Sequence, residues 1–259
     1  MTPLYLHARQ ILFAYLSCPD KGDSSNNNNK EEAWKATTVV LLWDPNHITA
    51  ANLRKRWIRD LADRENRVGE HEYGRGEVRA AVEQELLFLE TLVTSPLKKH
   101  TKAPTLWAQR GWLVSTFWDD AAHDLEREET GSVERFWNEE LGVVMRAGER
   151  HPRNYYAWQY ARVMFRIVEE KMRGEGWKGL FGETVRRVKG WCLLHPRDIS
   201  GWGFLMFLVQ VMEGGGGDEA RREVQSVVRE TREWVRKYEW KGESVEWFLK
   251  GVAKLGLER

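Results

Sequence analysis

His151-Pro152-Arg153-Asn154-Tyr155-Tyr156-Ala157-Trp158 and His195-Pro196-Arg197-Asp198-Ile199-Ser200-Gly201-Trp202 are two copies of one pattern. The His, Pro, Arg and Trp coincide, and Asn154 meets Asp198. A third copy, Lys102-Ala103-Pro104-Thr105-Leu106-Trp107, keeps a basic residue five positions before its tryptophan. A degenerate copy starts at Asp44-Pro45-Asn46, with Ala51 in the tryptophan place and Asn52-Leu53-Arg54 following. The recurrences lie 56, 51 and 44 residues apart. That spacing suits a helix pair with variable loops, the unit of an α-solenoid.

The block has a local mechanism. Proline ends one helix, and the polar Asn154 or Asp198 opens the next as a cap. The tryptophan falls in the first turns of that second helix, where a large flat ring can wedge between successive hairpins. Trp107, Trp158 and Trp202 are therefore read as structural packing residues of the repeat. His151 and His195 recur because the block recurs, which favours capping over catalysis.

Outside these blocks the chain is read as helical. Apolar residues recur at helical spacing, as in Leu86, Leu87, Leu89 and Leu92, and no convincing period-two run occurs. Expected helices are Leu4–Ser17, Glu77–Thr94, Leu106–Leu125, Val133–Glu149, Tyr155–Met172, Gly182–Leu194, Gly201–Met212, Glu223–Tyr238 and Ser244–Leu255. Gly22–Asn29, with its four asparagines, reads as a low-complexity loop. Gly214–Gly217 reads as a linker closed by Asp218 as a helix cap. The expectation is an all-α α-solenoid, one repeat domain over residues 1–259. Its repeats fall near 34–60, 77–125, 133–172, 182–212 and 223–255, with flexible loops at 22–33 and 213–218.

Composition excludes several classes. The 259 residues carry 40 Lys+Arg against 39 Asp+Glu, a net charge of +1, which gives no bulk field to hold nucleic acid. No apolar run approaches the roughly 20 residues that span a bilayer. Cys18 and Cys192 make neither a disulfide framework nor a four-ligand zinc site. His7 and Arg9 interrupt the first apolar stretch and no small-x-small cleavage site precedes Pro19, so an amphipathic helix in a cytoplasmic protein is expected. His123, Asp124, Glu126 and Glu128 lack metal-ligand spacing and read as a solvated acidic helix end. Cys192, on an apolar helical face near Trp191, is expected to be buried and inert.

Asn154-Tyr155-Tyr156-Ala157-Trp158 resembles the repeat of protein prenyltransferase α subunits, whose core is Asn-Tyr-x-x-Trp followed by an arginine. Lys102-Ala103-Pro104-Thr105-Leu106-Trp107-Ala108-Gln109-Arg110 resembles that family's second repeat, and Asp198-x-Ser200-Gly201-Trp202 a later one. The likeness runs roughly over Asp44–Met212. Ala51 replaces the first tryptophan, and Ala161 stands where arginine is usual, with Arg162 one later. These departures resemble the divergent branch of prenyltransferase α-subunit repeat-containing proteins.

The resemblance implies a crescent of hairpins wrapped on a β subunit that holds the zinc and the lipid cavity. No cofactor is then expected in this chain. It implies pairing with a Rab-type β subunit as a third class of geranylgeranyltransferase, using geranylgeranyl diphosphate and a protein substrate with a C-terminal cysteine. Lys102 precedes a helix start, where free N–H groups and the helix dipole attract anions. By resemblance it contacts the departing diphosphate. Tyr156 takes the place of a histidine that often reaches the same group, and a phenol brings one hydrogen bond but no charge. Arg153 is the register equivalent of Lys102, and Arg197 that of the fourth repeat. With Asn154, Tyr155 and Thr105, Arg153 makes up the implied substrate-binding set. Thr105 stands where CaaX-type relatives carry a glutamine for the peptide carboxylate, and its short hydroxyl implies poor use of free CaaX peptides. The competing expectation is a non-catalytic helical-repeat scaffold, in which Lys102 is a solvated loop residue beside Lys98 and Lys99.

Overall fold

The computed structural model describes residues 2–17, 25–68, 75–117, 132–172, 175–213 and 217–257. Among them are twelve helices and no strand. The chain divides into two compact units, Met1–Ala121 and Ala122–Arg259, where the sequence suggests a single repeat domain. A repeat contacts only its neighbours, so a hairpin array has natural points of division.

The first unit comprises α1 (Pro3–Ser17), α2 (Ser25–Trp43), α3 (Ile48–Val68), α4 (Arg75–Val93), the single turn α5 (Lys98–Thr101) and α6 (Pro104–Thr116). Helix α1 buries Tyr5, Ala8 and Leu12, one stripe at helical spacing, and packs on α2. Helix α3 packs on α2, α4 and α6. The flexible loop expected over 22–33 is corrected, because α2 begins at Ser25 and runs through all four asparagines. Asparagine costs only about 0.7 kcal/mol per helical position. Burial of Ala33, Ala36, Val40 and Leu41 on the same helix outweighs it.

The second unit comprises α7 (Ser132–Arg150), α8 (Tyr155–Lys171), α9 (Glu175–Leu194), α10 (Ile199–Glu213), α11 (Gly217–Lys237) and α12 (Glu243–Lys254). Each hairpin pairs a first helix with a second helix that carries the tryptophan register. The second helices α8, α10 and α12 pack in sequence, and the first helices α9 and α11 pack beside them. That is the two-layer arrangement of a helical repeat. Helix α11 starts at Gly217, so Asp218 lies inside it. Residues 118–131 and 214–216, and with them His123, Asp124, Glu126 and Glu128, lie outside the described residues.

The repeat is visible in the backbone hydrogen bonds. The N–H of Ala51, Trp107, Trp158 and Trp202 donates to the carbonyl four residues earlier, at His47, Ala103, Asn154 and Asp198, over 3.2–3.3 Å. Glu246 repeats the bond with Gly242 at 3.2 Å, a fifth copy that the side-chain pattern hides. The cap expected at Asn154 is present, its Oδ1 accepting from the Ala157 N–H at 3.4 Å. Asp198 Oδ1 accepts from Ser200 at 2.9 Å and Gly201 at 3.2 Å. In the degenerate first copy, His47 Nδ1 takes the same role toward the Ala50 N–H at 3.2 Å.

Trp158 and Trp202 wedge between successive hairpins. Trp158 is fully buried and lies 4.9 Å from Trp191 and 5.4 Å from Phe204, both in the following hairpin. Trp202 is fully buried against Phe248 of α12, with centroids 5.2 Å apart. Trp107 is buried and donates its indole N–H to the Thr101 carbonyl at 2.8 Å.

Candidate functional site

In the first unit, α5 is one helical turn that ends at Lys102, whose N–H donates to the Lys98 carbonyl at 3.0 Å. Ala103 follows as the N-cap of α6, fully buried, and Pro104 occupies the first helical position. Proline suits that place because its missing N–H would lack a helical partner anyway. Alanine has no side-chain acceptor, so α6 starts without the cap that His47, Asn154 and Asp198 supply in the other copies. Lys102 and Thr105 flank this helix start, both half-buried. An uncapped start with a lysine beside it attracts anions through N–H groups, dipole and charge together.

The neighbouring lysines differ from one another. Lys99 Nζ donates to the Trp43 carbonyl at 2.8 Å and sits 5.3 Å from the Trp43 ring, so it fastens the turn to the end of α2. His100 is buried and its Nε2 bonds the Leu42 carbonyl at 2.7 Å, closing that same helix end. Burial holds the imidazole below its ordinary pKa. His100 is the register equivalent of His195, since the Ala103 and Asp198 N–H groups donate to the His100 and His195 carbonyls at 3.0 and 2.9 Å. The shared position seven before the tryptophan was the signal for it. His195 closes its own helix, with Nδ1 on the Trp191 carbonyl at 2.9 Å and its ring stacked 4.2 Å from Trp191. Capping is thus the part these histidines play, at helix C-termini.

In the second unit, the turn into α8 gathers Arg153, Asn154, Tyr155 and Tyr156. Arg153 is exposed at φ 60°, the left-handed region, and donates its N–H to Asp198 Oδ2 at 2.6 Å. Asp198 therefore caps its own helix and fixes the turn of the preceding repeat. Asn154 is fully buried, which places it in the fold. Tyr155 and Tyr156 are 60% and 40% exposed, with rings 5.8 Å apart, so neither is consumed by packing at the helix start. Arg197 is exposed and lies 5.7 Å from the Trp240 ring.

Sequence reasoning missed the buried polar cluster of the first unit. Arg54, three residues after Ala51, is 2% exposed and lies 3.9 Å over the Trp34 ring. It donates to Thr37 at 2.9 Å and Thr38 at 3.1 Å on α2, and through Nε to Glu85 on α4 at 2.9 Å. Gln109 on α6 also hydrogen-bonds Glu85. One charged cluster thus ties four helices. The register arginine was its signal. Cys192 is fully buried, and burial, with the Asp198 charge second, pushes its thiol well up, so it is a poor nucleophile.

Among the described residues no group of three His, Cys, Asp or Glu side chains could hold a metal ion. No helix there is long and apolar enough to cross a membrane.

The family model described as ECM9 middle domain matches residues 123–231. Curated relatives named protein prenyltransferase alpha subunit repeat-containing protein 1 are 22% identical in Danio rerio, over 73% of this chain and 40% of the relative, and 25% identical in Homo sapiens, over 70% and 40%. The Xenopus laevis protein 1-A is 25% identical over 70% of this chain and 37% of its own length. The chain thus spans about 40% of the length of these relatives. Its register of capped turns and wedged tryptophans is the kind of repeat their name describes, and the chain is similar at the level of family to the protein prenyltransferase alpha subunit repeat-containing proteins.

Proposed function

We propose that this chain is the non-zinc-binding α subunit of a heterodimeric cytoplasmic protein prenyltransferase, pairing with a Rab-type β subunit and serving geranylgeranyl transfer to a protein cysteine. The observation that carries the reading is the start of α6. It alone of the four tryptophan-register starts lacks a side-chain cap, and it is the one flanked by lysine. The relatives' name supplies the reaction class. A leaving diphosphate gains negative charge as the lipid C–O bond breaks, and Lys102 with the helix start would stabilise it. Tyr156 would add one hydrogen bond, and Arg153, Tyr155 and Thr105 would contact substrate. Zinc, where the reaction uses it to hold the cysteine thiolate, would be held by the partner, because the two cysteines Cys18 and Cys192 make no four-ligand zinc site.

The test uses the chain co-expressed with a Rab-type β subunit, in single-turnover assays at saturating geranylgeranyl diphosphate. Lys102→Ala should slow transfer about 10²–10³-fold, the usual cost of losing one preorganised charge contact, with subunit assembly intact. Lys98→Ala is the control, because Lys99 is tied to Trp43. Unchanged rates for Lys102→Ala, or no association with the β subunit, would favour the scaffold reading. Exposed Tyr155 and Tyr156 would then serve as protein contacts.

A further inference from the structure

Outside the turns, one arrangement occurs once in each unit at the same register. Four and eight residues after the tryptophan register of the first copy stand Lys55 and Arg59, each 5.3 Å from the ring of Trp112. Four and eight residues after Trp158 stand Arg162 and Arg166, at 5.9 and 5.0 Å from the ring of Phe207. Trp112 and Phe207 themselves fall five residues after Trp107 and Trp202. In both units, then, two cations one turn apart on a second helix are braced on an aromatic ring of the next second helix.

These cations are left without enough negative charge of their own. Among the described residues neither Lys55 nor Arg59 makes an ion pair, and burial together with Arg59 holds the Lys55 ammonium below its ordinary pKa. Arg162 has only a 3.4 Å bond from Nη1 to the Trp158 carbonyl, and Arg166 pairs with Glu169 at 2.7 Å. Cation–π contact orients the heads while leaving their outer N–H groups free to donate. Keeping like charges together, with Lys55 and Arg162 partly buried, is unfavourable in the free chain, and an incoming anion relieves it.

We infer that the Lys55–Arg59 pair on Trp112 and the Arg162–Arg166 pair on Phe207 are two matching receptor sites, each taking carboxylates one helical turn apart on an acidic protein partner. The spacing favours this occupant. The two cations of each pair leave their helix one turn apart, the spacing of an i, i+4 carboxylate pair on a partner helix. A near-zero net charge argues against nucleic acid as the occupant. The inference goes beyond the subunit reading and does not depend on it; under that reading the partner is the β subunit.

The test titrates the full chain with a fluorescent alanine-based helical peptide carrying glutamates one turn apart, beside its glutamine counterpart and inorganic diphosphate. The glutamate peptide should bind and weaken with added salt, and the glutamine peptide should not. Lys55→Gln with Arg59→Gln, and Arg162→Gln with Arg166→Gln, should each weaken binding several-fold, and all four together at least tenfold. Lys55→Arg and Arg166→Lys, which keep the charge, should retain it, so a folding defect in the glutamine variants is recognisable. Lys102→Ala should leave it unchanged, which separates this result from the proposed transfer chemistry. Binding indifferent to all four substitutions would overturn the inference. So would diphosphate or a single-stranded oligonucleotide binding these pairs in place of the peptide.

Discussion

A buried charged cluster joins the helices of the first unit where aromatic rings join those of the second, although both units are built on one turn and both have apolar cores. Three residues past the tryptophan register the first unit has Arg54 and Arg110, both buried, while the second has Ala161 and Leu205. Two residues past it, Gln109 donates to buried Glu85, Tyr160 donates to buried Glu140 at 2.6 Å, and the Phe204 ring packs tilted against Trp158. The polar pair of the second and third copies gives way to an aromatic contact in the fourth. Trp137 and Trp177 stand 5.3 and 5.0 Å from Phe165 and extend the aromatic core of the second unit. A repeat needs its hairpins in register, and the two units meet that need with different chemistry. Apolar burial gives most stability per area, whereas a buried ion cluster breaks even at best and specifies which helices meet.

Removing one member of the charged cluster gives the largest expected effect. Glu85→Ala leaves the Arg54 guanidinium buried beneath Trp34 without its anion, and should cost about 3–5 kcal/mol. Replacing the whole cluster by Arg54→Met, Glu85→Leu and Gln109→Leu should be neutral or stabilising by about 1–4 kcal/mol. Urea unfolding followed by tryptophan fluorescence measures both. A triple variant as unstable as Glu85→Ala would show the cluster to be a true source of stability, and the contrast between units would lose its meaning.

Two glycines sharpen the comparison from the aromatic side. An added Cβ at Gly201 would lie 2.5 Å from Trp191, whose ring is held between His195 and Trp158. Gly201→Ala should therefore cost about 1–3 kcal/mol by overpacking. Gly190, inside α9, has nothing within 4 Å of such an atom, so Gly190→Ala should stabilise by about 1 kcal/mol through helix propensity. Equal signs for the two would mean that the aromatic core yields more readily than its contacts suggest.

At the bare start of α6, Ala103→Ser supplies the missing acceptor and should add about 1 kcal/mol of stability. On the proposed function it should also slow transfer, because the hydroxyl competes for the N–H groups that would meet the diphosphate. Gain of stability with no loss of rate would leave α6 as an ordinary helix start.

What was legible in the sequence follows from how local its cause is. The turn is local: proline, cap residue and tryptophan lie within eight positions, so Asn154, Asp198 and the wedged rings were readable. His47 was missed as a cap because histidine is not an expected one, although its Nδ1 performs the same bond. The fifth copy at Gly242 carries neither a side-chain cap nor a tryptophan, and only its backbone bond reveals it. The start of α2 was misread because asparagine propensity is weak against burial farther along the helix. The Arg54 cluster depends on residues 16 to 31 positions from Arg54 on other helices, which periodicity cannot see. Of the candidate site, the positions of Lys102 and Thr105 at a helix start were foreseen, while the bareness of that start became visible only beside its capped equivalents.

The smallest expected effect concerns pH and falls on the first unit. His100 is buried with its Nε2 on the Leu42 carbonyl, its Nδ1 has no partner, and burial lowers its pKa in the folded chain. The unfolded chain therefore takes up this proton at a higher pH than the folded chain does. The contribution to stability is fully present above the unfolded value of 6.5 and is lost as pH falls below it, down to the lower folded value. The helix C-terminus beside it favours the cation and limits the loss. Unfolding midpoints in urea between pH 7.5 and pH 5 should thus fall for the native chain, and the fall should be shallower for His100→Gln, which keeps a donor for Leu42 and does not titrate. Parallel slopes for the two would mean that other carboxylates and histidines set the acid response, and that His100 serves only to join α2 to the turn ahead of Lys102.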